Sequence, residues 1–330
     1  MGIRITSNRS GRNCIKDSVK AFTEKVRFIN PFLIICSFVL MPTTMFGQKP
    51  QPEIIIKTSC FKRKCVKPTS EIRLDPEISE GSGLVAWNNQ IWTHNDSGGP
   101  ARIFALDTIS SKIIKRLDLP RINNDDWEDI TQDDHFLYIG NFGNNAGTRK
   151  RLQIYRLNKE ALLQNDVKID SISFVWPEIN DFSEQTQLNF DCEAMIVMND
   201  SLFLFTKEWK ERRCSRIFKI PASPGKYIAE YVATLKTRLL VTGASYSAVK
   251  KRIILCGYNL LLKPKLLVIS IPDFGNLKDV DRGMNIRVKK RLKQIEGITS
   301  FDGVHYYVLS EATNLHILKN KPTLYQLTID

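Results

Sequence analysis

Residues 124–130 read NDDWEDI, and residues 189–195 read NFDCEAM. Each places an Asp-x-Glu pair, Asp126 with Glu128 and Asp191 with Glu193, at the entrance of an apolar, β-like run. A carboxylate is costly at the centre of a sheet. Two such copies therefore point to one recurring position in a repeated architecture. Glu296, in QIEGI, holds the matching place further along the chain.

Around these entrances five segments align in register: 82–107, 128–157, 193–220, 243–271 and 296–329. Each runs as a first strand, a polar turn, a second apolar strand with a polar end, a loop and a third strand. One more strand-like run precedes each segment: EIRLDP (71–76), IIKRLDLP (113–120), ISFVWP (172–177), YVATLKTRL (231–239) and IRVKKRL (286–292). Four strands in 40–50 residues is the length of a propeller blade. The expected fold is all-β, a five-bladed β-propeller with four-stranded antiparallel blades over 71–330. Six blades are the alternative if residues 158–190 hold a degenerate one. Pairing the N-terminal strand (71–76) with the C-terminal strand (323–330) would close the ring and leave no exposed edge. EIIIK (53–57) adds an edge strand, and NKEALLQND (158–166) reads as a short helix.

The formal charge of +13 is unevenly spread. Residues 1–70 carry 13 Lys and Arg against 3 Asp and Glu, whereas residues 71–330 carry 35 against 32. The body thus has no strong electrostatic case for nucleic acid. A basic stretch followed by FLIICSFVLM (32–41) and MFGQ (45–48) reads as a signal peptide with a cut after Gly47. Its apolar run is too short for a membrane-spanning helix. The expected organisation is a basic leader and signal peptide (1–47), a linker (48–70) and the propeller, secreted or periplasmic. Export permits disulfides, and Cys60 and Cys65 are spaced for a small loop bridge. C-x4-C is not a zinc pattern.

In a propeller the first strand of each blade lines the axis, so Asp126, Glu128, Asp191 and Glu193 are the candidate metal ligands. Carboxylates converging on an axis repel unless a cation or donors compensate, and hard oxygen donors suit Ca²⁺ or Mg²⁺. Lys207 is the candidate internal counter-charge. The second strands also end in polar residues, and Asn95, Asp96, Asn141, Asn145, Lys207, Glu208 and Glu311, with Glu296, are the candidate ligand-binding set. Successive antiparallel strands run in opposite directions, so these ends are expected near the rim opposite the starting carboxylates. The competing reading makes the Asp-x-Glu copies brackets that bond a neighbouring blade's backbone. No G-x-S-x-G elbow, P-loop or dinucleotide fingerprint occurs.

THNDSGGPARIFALD, DDWEDI, LYIGNFGNN and DCEAM, followed by LFLFTKE and SRIFKI, resemble exported bacterial β-propeller proteins of uncharacterised function. That group is akin to the SdiA-regulated and phytase-like esterase propellers. The resemblance covers roughly residues 70–260 and implies fold and export. It transfers no mechanism, because no catalytic residue matches by position. The expected function is a non-catalytic binding module or scaffold for a small ligand, a cell-surface component or a divalent cation. The alternative is a metal-dependent phosphoester, ester or lactone hydrolase, in which the four carboxylates hold the cation and a bound water attacks.

Overall fold

Runs of β-branched and aromatic residues separated by Asn, Asp and Gly become strands, and the turns between them use the residues the geometry demands. Asn88–Asn89 and Asn199–Asp200 link first to second strands with both residues at positive φ, between 50° and 55°. This is the turn conformation that matches hairpin twist and that Asn and Asp tolerate. The computed structural model describes residues 54–58, 60–177, 190–209, 214–271, 277, 280, 282–315 and 318–330. The expected leader, 1–47, lies outside the described residues.

Five sheets account for almost all the described strands. The first blade comprises Gly81–Trp87, Gln90–Asn95, Arg102–Asp107 and Ile113–Asp118. The second comprises Trp127–Gln132, Phe136–Asn141, Leu152–Asn158 and Ile169–Val175, and the third Asp191–Met198, Ser201–Lys207, Ser215–Pro221 and Glu230–Lys236. Leu240–Ser247, Arg252–Tyr258, Pro264–Ser270 and Gly283–Val288 form the fourth. Ile295–Ser300, His305–Ser310 and Thr323–Thr328 form the fifth, and Ser70–Arg73 pairs antiparallel with Thr323–Thr328. The five inner strands neighbour one another in the closed order first, second, third, fourth, fifth, first. The protein is an all-β, five-bladed β-propeller.

Three blades carry a fifth strand, which differs from the four-stranded expectation. Gly225–Ile228, Ile55–Lys57 and Lys62–Val66 lie parallel to the outer strands of the second, third and fourth blades. The stretch expected as linker (48–70) thus supplies two of the three. Ile55–Lys57 is the edge strand expected within 53–57, whereas Lys62–Val66 showed no strand period because four of its five residues are exposed. Within the described part of 158–190, Lys159–Leu163 is the expected short helix, capped by the Asn158 side chain accepting from the Ala161 N–H at 2.8 Å. Ile169–Val175 belongs to the second blade, and residues 178–189 lie outside the described residues. Cys60 and Cys65 are free thiols rather than the expected bridge, as are Cys192 and Cys256.

Apolar side chains fill the spaces between neighbouring blades. Between the second and third, Phe174, Trp176, Phe190 and Phe218 pack with ring centroids 4.7–6.0 Å apart. Each buried side chain of this size contributes about 1.5–3 kcal/mol relative to exposure. At the axis the inner strands meet backbone to backbone. A Cβ on Gly83, whose φ is +64°, would lie 2.6 Å from the Ile130 nitrogen, and one on Gly297 would lie 2.8 Å from the Gly83 carbonyl carbon. No larger residue fits these two positions.

Candidate functional site

A two-strand hairpin folds the chain back on itself, so the start of each inner strand lies opposite the end of its partner. Gly81 pairs with Asn95, Trp127 with Asn141, Asp191 with Lys207 and Ile295 with Ser310. The starting carboxylates and the polar second-strand ends therefore share one end of the ring. The expectation of opposite rims was incorrect, because antiparallel direction brings these two termini together. Every inner strand also breaks register at this end: between Ser82 and Val85, Trp127 and Asp129, Cys192 and Ala194, Val241 and Gly243, and Ile295 and Gly297. The extra residue is Glu128 in the second blade, Glu193 in the third, Thr242 in the fourth and Glu296 in the fifth. A bulge re-aims its side chain relative to the pleat, and all four of these residues are buried.

In the stretch NDDWEDI each residue has a separate task. The Asn124 carboxamide donates to the carbonyls of Asn95 and Asp96, at 3.1 and 2.5 Å, and accepts from the Trp127 N–H at 3.1 Å. It thereby fixes the end of the first blade's second strand beside the second blade. Asp125 accepts from the Asn141 amide at 2.9 Å. Asp126 lies beside Asp96, and oxygens of Asp96, Asp126 and Glu128 all fall within 4.8 Å of one another. Trp127 is fully buried, its indole N–H bonded to the Asn123 carbonyl at 3.0 Å. Asp129 accepts from the N–H groups of Ile130 and of Met195 in the third blade, each at 2.9 Å. Asp129 is thus the bracket residue, and the i, i+2 spacing of Asp126 and Glu128 had drawn attention past it.

The two Asp-x-Glu copies are not equivalent. Asp191 has both oxygens occupied by N–H donors, from the Asn144 backbone and the Trp209 indole, each at 2.8 Å. Glu193 accepts from the Lys207 ammonium at 2.9 Å, and both side chains are buried. Lys207 also lies 4.8 Å from the Trp209 ring centroid. Of the four carboxylates expected together, Asp126 and Glu128 join Asp96, while Asp191 and Glu193 are engaged elsewhere. Gly143 explains the room around the trio: a Cβ there would lie 2.2 Å from Glu128 Oε1 and 2.4 Å from Asp126 Oδ2. Glu128 is 4% exposed, and its Oε1 has no hydrogen-bond partner.

The remaining candidates divide between framework and face. Asn141 accepts from the Asp126 N–H at 3.0 Å and donates to Asp125, so it positions the acidic loop. Glu208 is fully buried, accepting from Thr206 Oγ1 at 2.6 Å and from Arg216 at 3.0 Å through both oxygens. Asn145 is exposed, and its neighbour Asn144 is the buried residue of that loop. Asn95 donates to the Glu77 carbonyl at 2.7 Å. His94 is buried at right angles to Trp127, and burial depresses its pKa to about 4, which keeps it neutral. Asp96 and Glu311 are half-buried at this end of the ring, and Glu296 is buried. Arg149, which sequence reasoning passed over, donates to the carbonyls of Gly143 at 2.7 Å and Asn141 at 3.0 Å.

Crowded acids and burial raise the carboxyls at this end of the ring. Burial and then the Asp126 charge push Asp96 to about 7. Burial lifts Glu296 to about 7 against the pull of Lys207, and burial with Glu296 and Asp96 lifts Glu311 to about 8. Burial, Glu193 and Asp96 hold Glu128 well above the carboxylate range. Burial alone would lower Lys207, but Glu193, Tyr258, Glu296 and Glu128 together hold it well above its ordinary value.

These shifts give a signed prediction. Glu296 and Glu311 keep protons in the fold that the unfolded chain has already released. Their stabilisation is complete below the ordinary carboxylate range and is lost as pH rises through 7–8. His94 opposes this only below about 6.5, where the unfolded chain gains a proton that the buried ring refuses. In a chelator, unfolding free energy should fall by on the order of 1–3 kcal/mol between about pH 6.5 and about pH 8. Urea unfolding across that range checks it, and stability that stays flat or rises would contradict it.

Comparison with known proteins gives no match to a family model and none to a curated protein. Among solved structures, the chain is similar to hydrazine synthase of Kuenenia stuttgartiensis, with 11% identity and a TM-score of 0.37, over 73% of this chain and 58% of that one. It is similar to the Cps50 (Swd1) β-propeller domain of Myceliophteria thermophila, with 8% identity and a TM-score of 0.39, over 80% and 100% of the two chains. A chain of the mitotic checkpoint complex aligns with 11% identity and a TM-score of 0.40, over 86% and 97%.

Proposed function

We propose that the protein is an exported β-propeller serving as a binding module or scaffold, with one divalent cation, Ca²⁺ or Mg²⁺, held by Asp96, Asp126 and Glu128. The frame of this reading is a ring of four-stranded blades closed by Ser70–Arg73 on Thr323–Thr328. The observation that carries it is the convergence of three carboxylates within 4.8 Å around a buried glutamate oxygen that has no donor. Lys207 is bonded to Glu193, so among the described residues Lys207 and Arg149 act on the trio only at longer range, without a hydrogen bond to it. Hard oxygen donors of this kind match Ca²⁺ and Mg²⁺ better than zinc. The candidate set therefore moves from Asp126, Glu128, Asp191 and Glu193 to Asp96, Asp126 and Glu128.

At a Ca²⁺ concentration a hundredfold above Kd, binding stabilises the fold by about 2.7 kcal/mol. For a domain of this size that raises Tm by about 5–10 °C. Glu128→Gln should remove most of the rise while melting close to the metal-free parent. Equal Ca²⁺ shifts in parent and variant would reject the assignment.

Hydrolysis of a phosphoester, ester or lactone is the second reading. It is favoured by the small ligand number, since three carboxylates fill only part of the six to eight positions that Ca²⁺ takes. A water on the ion would be the nucleophile. Cation-dependent turnover of model substrates, lost in Glu128→Gln, would select this reading over a purely binding one.

A further inference from the structure

A second charged feature lies off the axis, where the outer part of the fourth blade meets the third. A cleft of about 440 Å³ is lined there by Arg63, Lys64, Arg238, Lys265 and Arg287, with no carboxylate among its lining residues. We propose that this cleft binds a multiply charged tetrahedral oxyanion, the phosphate group of a soluble phosphorylated molecule or of a phospholipid.

The strand register explains why the cations converge. Arg63 pairs with Asn285 and Cys65 with Arg287 across parallel strands, and Lys265 pairs with Arg287 across the antiparallel ones. Paired residues, and residues two apart, share a face of a sheet. Arg63, Lys265 and Arg287 therefore share one face of three adjacent strands. Arg238 enters from the turn between Glu230–Lys236 and Leu240–Ser247, which joins the third blade to the fourth. Asn285 donates to the Thr58 carbonyl at 3.1 Å, and Thr58 donates to the Lys236 carbonyl. These bonds tie the wall of the cleft to the third blade.

Further observations point to an anion. Lys64 is 3.5 Å from Asp330, whereas among the described residues none of Arg63, Arg238, Lys265 or Arg287 is paired with a carboxylate. Residues 71–330 are nearly balanced in charge, so such a group is not the surface average. Leu239 is buried and gives the cleft an apolar side, where charge interactions are less screened than in open water. Burial and the Arg238 and Lys263 charges lower the Lys265 ammonium, which places it among cations rather than acids. Two or three guanidinium forks are the donors that match phosphate oxygens in pairs.

The test uses the full chain and two probes: inorganic pyrophosphate in calorimetry, and phosphatidylcholine vesicles containing phosphatidic acid in co-sedimentation. The expected result is saturable binding of at least one probe. It should weaken about tenfold or more in Arg238→Gln/Arg287→Gln and again in Arg63→Gln/Lys265→Gln, two variants that draw on different strands. Lys112→Gln/Lys226→Gln, with the same charge change at exposed sites elsewhere, should bind like the parent. Pyrophosphate binding without vesicle binding identifies a soluble phosphorylated ligand, and vesicle binding lost in the cleft variants identifies a lipid headgroup. Equal loss in the control variant, or no saturable binding of either probe, would overturn the proposal.

Discussion

Replacing Lys207 with methionine is expected to destabilise the propeller by about 3–5 kcal/mol, the usual loss when one partner of a buried ion pair is removed. The Lys207 ammonium and the Glu193 carboxylate are 2.9 Å apart, with side-chain exposures of 8% and 2%. The methionine fills much of the lysine volume, so the loss reports the stranded acid rather than a cavity. Glu193 can then escape only by protonation, and the deficit should widen as pH rises. Adding Glu193→Gln to the variant removes the stranded charge and should recover most of the loss. Urea unfolding of the two single variants and the double variant measures the coupling. Strictly additive losses would mean that the two groups do not act as a pair.

Asp129→Ala is the second large effect, a loss of about 2–5 kcal/mol from two buried N–H groups left without an acceptor. The residue is 1% exposed and serves amides of Ile130 in its own blade and of Met195 in the third. One side chain thus links two neighbouring inner strands. Asp129→Asn keeps one acceptor oxygen and should cost less than the alanine. Asp134→Ala, at an exposed position, should stay within about 0.5 kcal/mol of the parent. If Asp129→Ala melts like Asp134→Ala, the axial bracket is not a structural element.

The repeat was legible because each segment runs as strand, polar turn, strand, loop and strand. The structure aligns Ser82-Gly83-Leu84, Glu128-Asp129-Ile130, Glu193-Ala194-Met195, Thr242-Gly243-Ala244 and Glu296-Gly297-Ile298, placing the fourth one residue earlier than the sequence register at Gly243. The middle residue is small in four of the five because the strands touch there. In the second blade it is Asp129, and its side chain occupies the bracket position. The division of labour between the two Asp-x-Glu copies was not legible. Asp126 and Asp191 have the same spacing to a glutamate, but Asp191 meets Asn144 and Trp209 while Asp126 meets Asp96. Those partners come from loops that only the closed ring brings near. The bulge compounds this, since an extra residue breaks the alternation by which facing is read from a strand. The basic stretch around Lys62–Val66 was opaque for a simpler reason. An outermost strand with a single buried residue has no apolar period to detect.

The site is therefore best described as a ring end where framework and function sit within a few residues. Asn124, Asn141 and Asp129 hold strands and loops in place, and Lys207 offsets Glu193. Asp96, Asp126 and Glu128 remain without a cationic partner at hydrogen-bonding distance among the described residues. That separation makes the cation proposal testable without disturbing the fold, since Glu128→Gln alters neither the axial bracket nor the buried ion pair.

Anomalous diffraction from crystals grown with Mn²⁺, a stand-in for Ca²⁺ and Mg²⁺ with strong scattering, tests the central claim most directly. The account predicts one peak bonded to oxygens of Asp96, Asp126 and Glu128, and its disappearance in Glu128→Gln. Saturating Mn²⁺ with no peak at these three carboxylates, or a peak that persists unchanged in the variant, would contradict it.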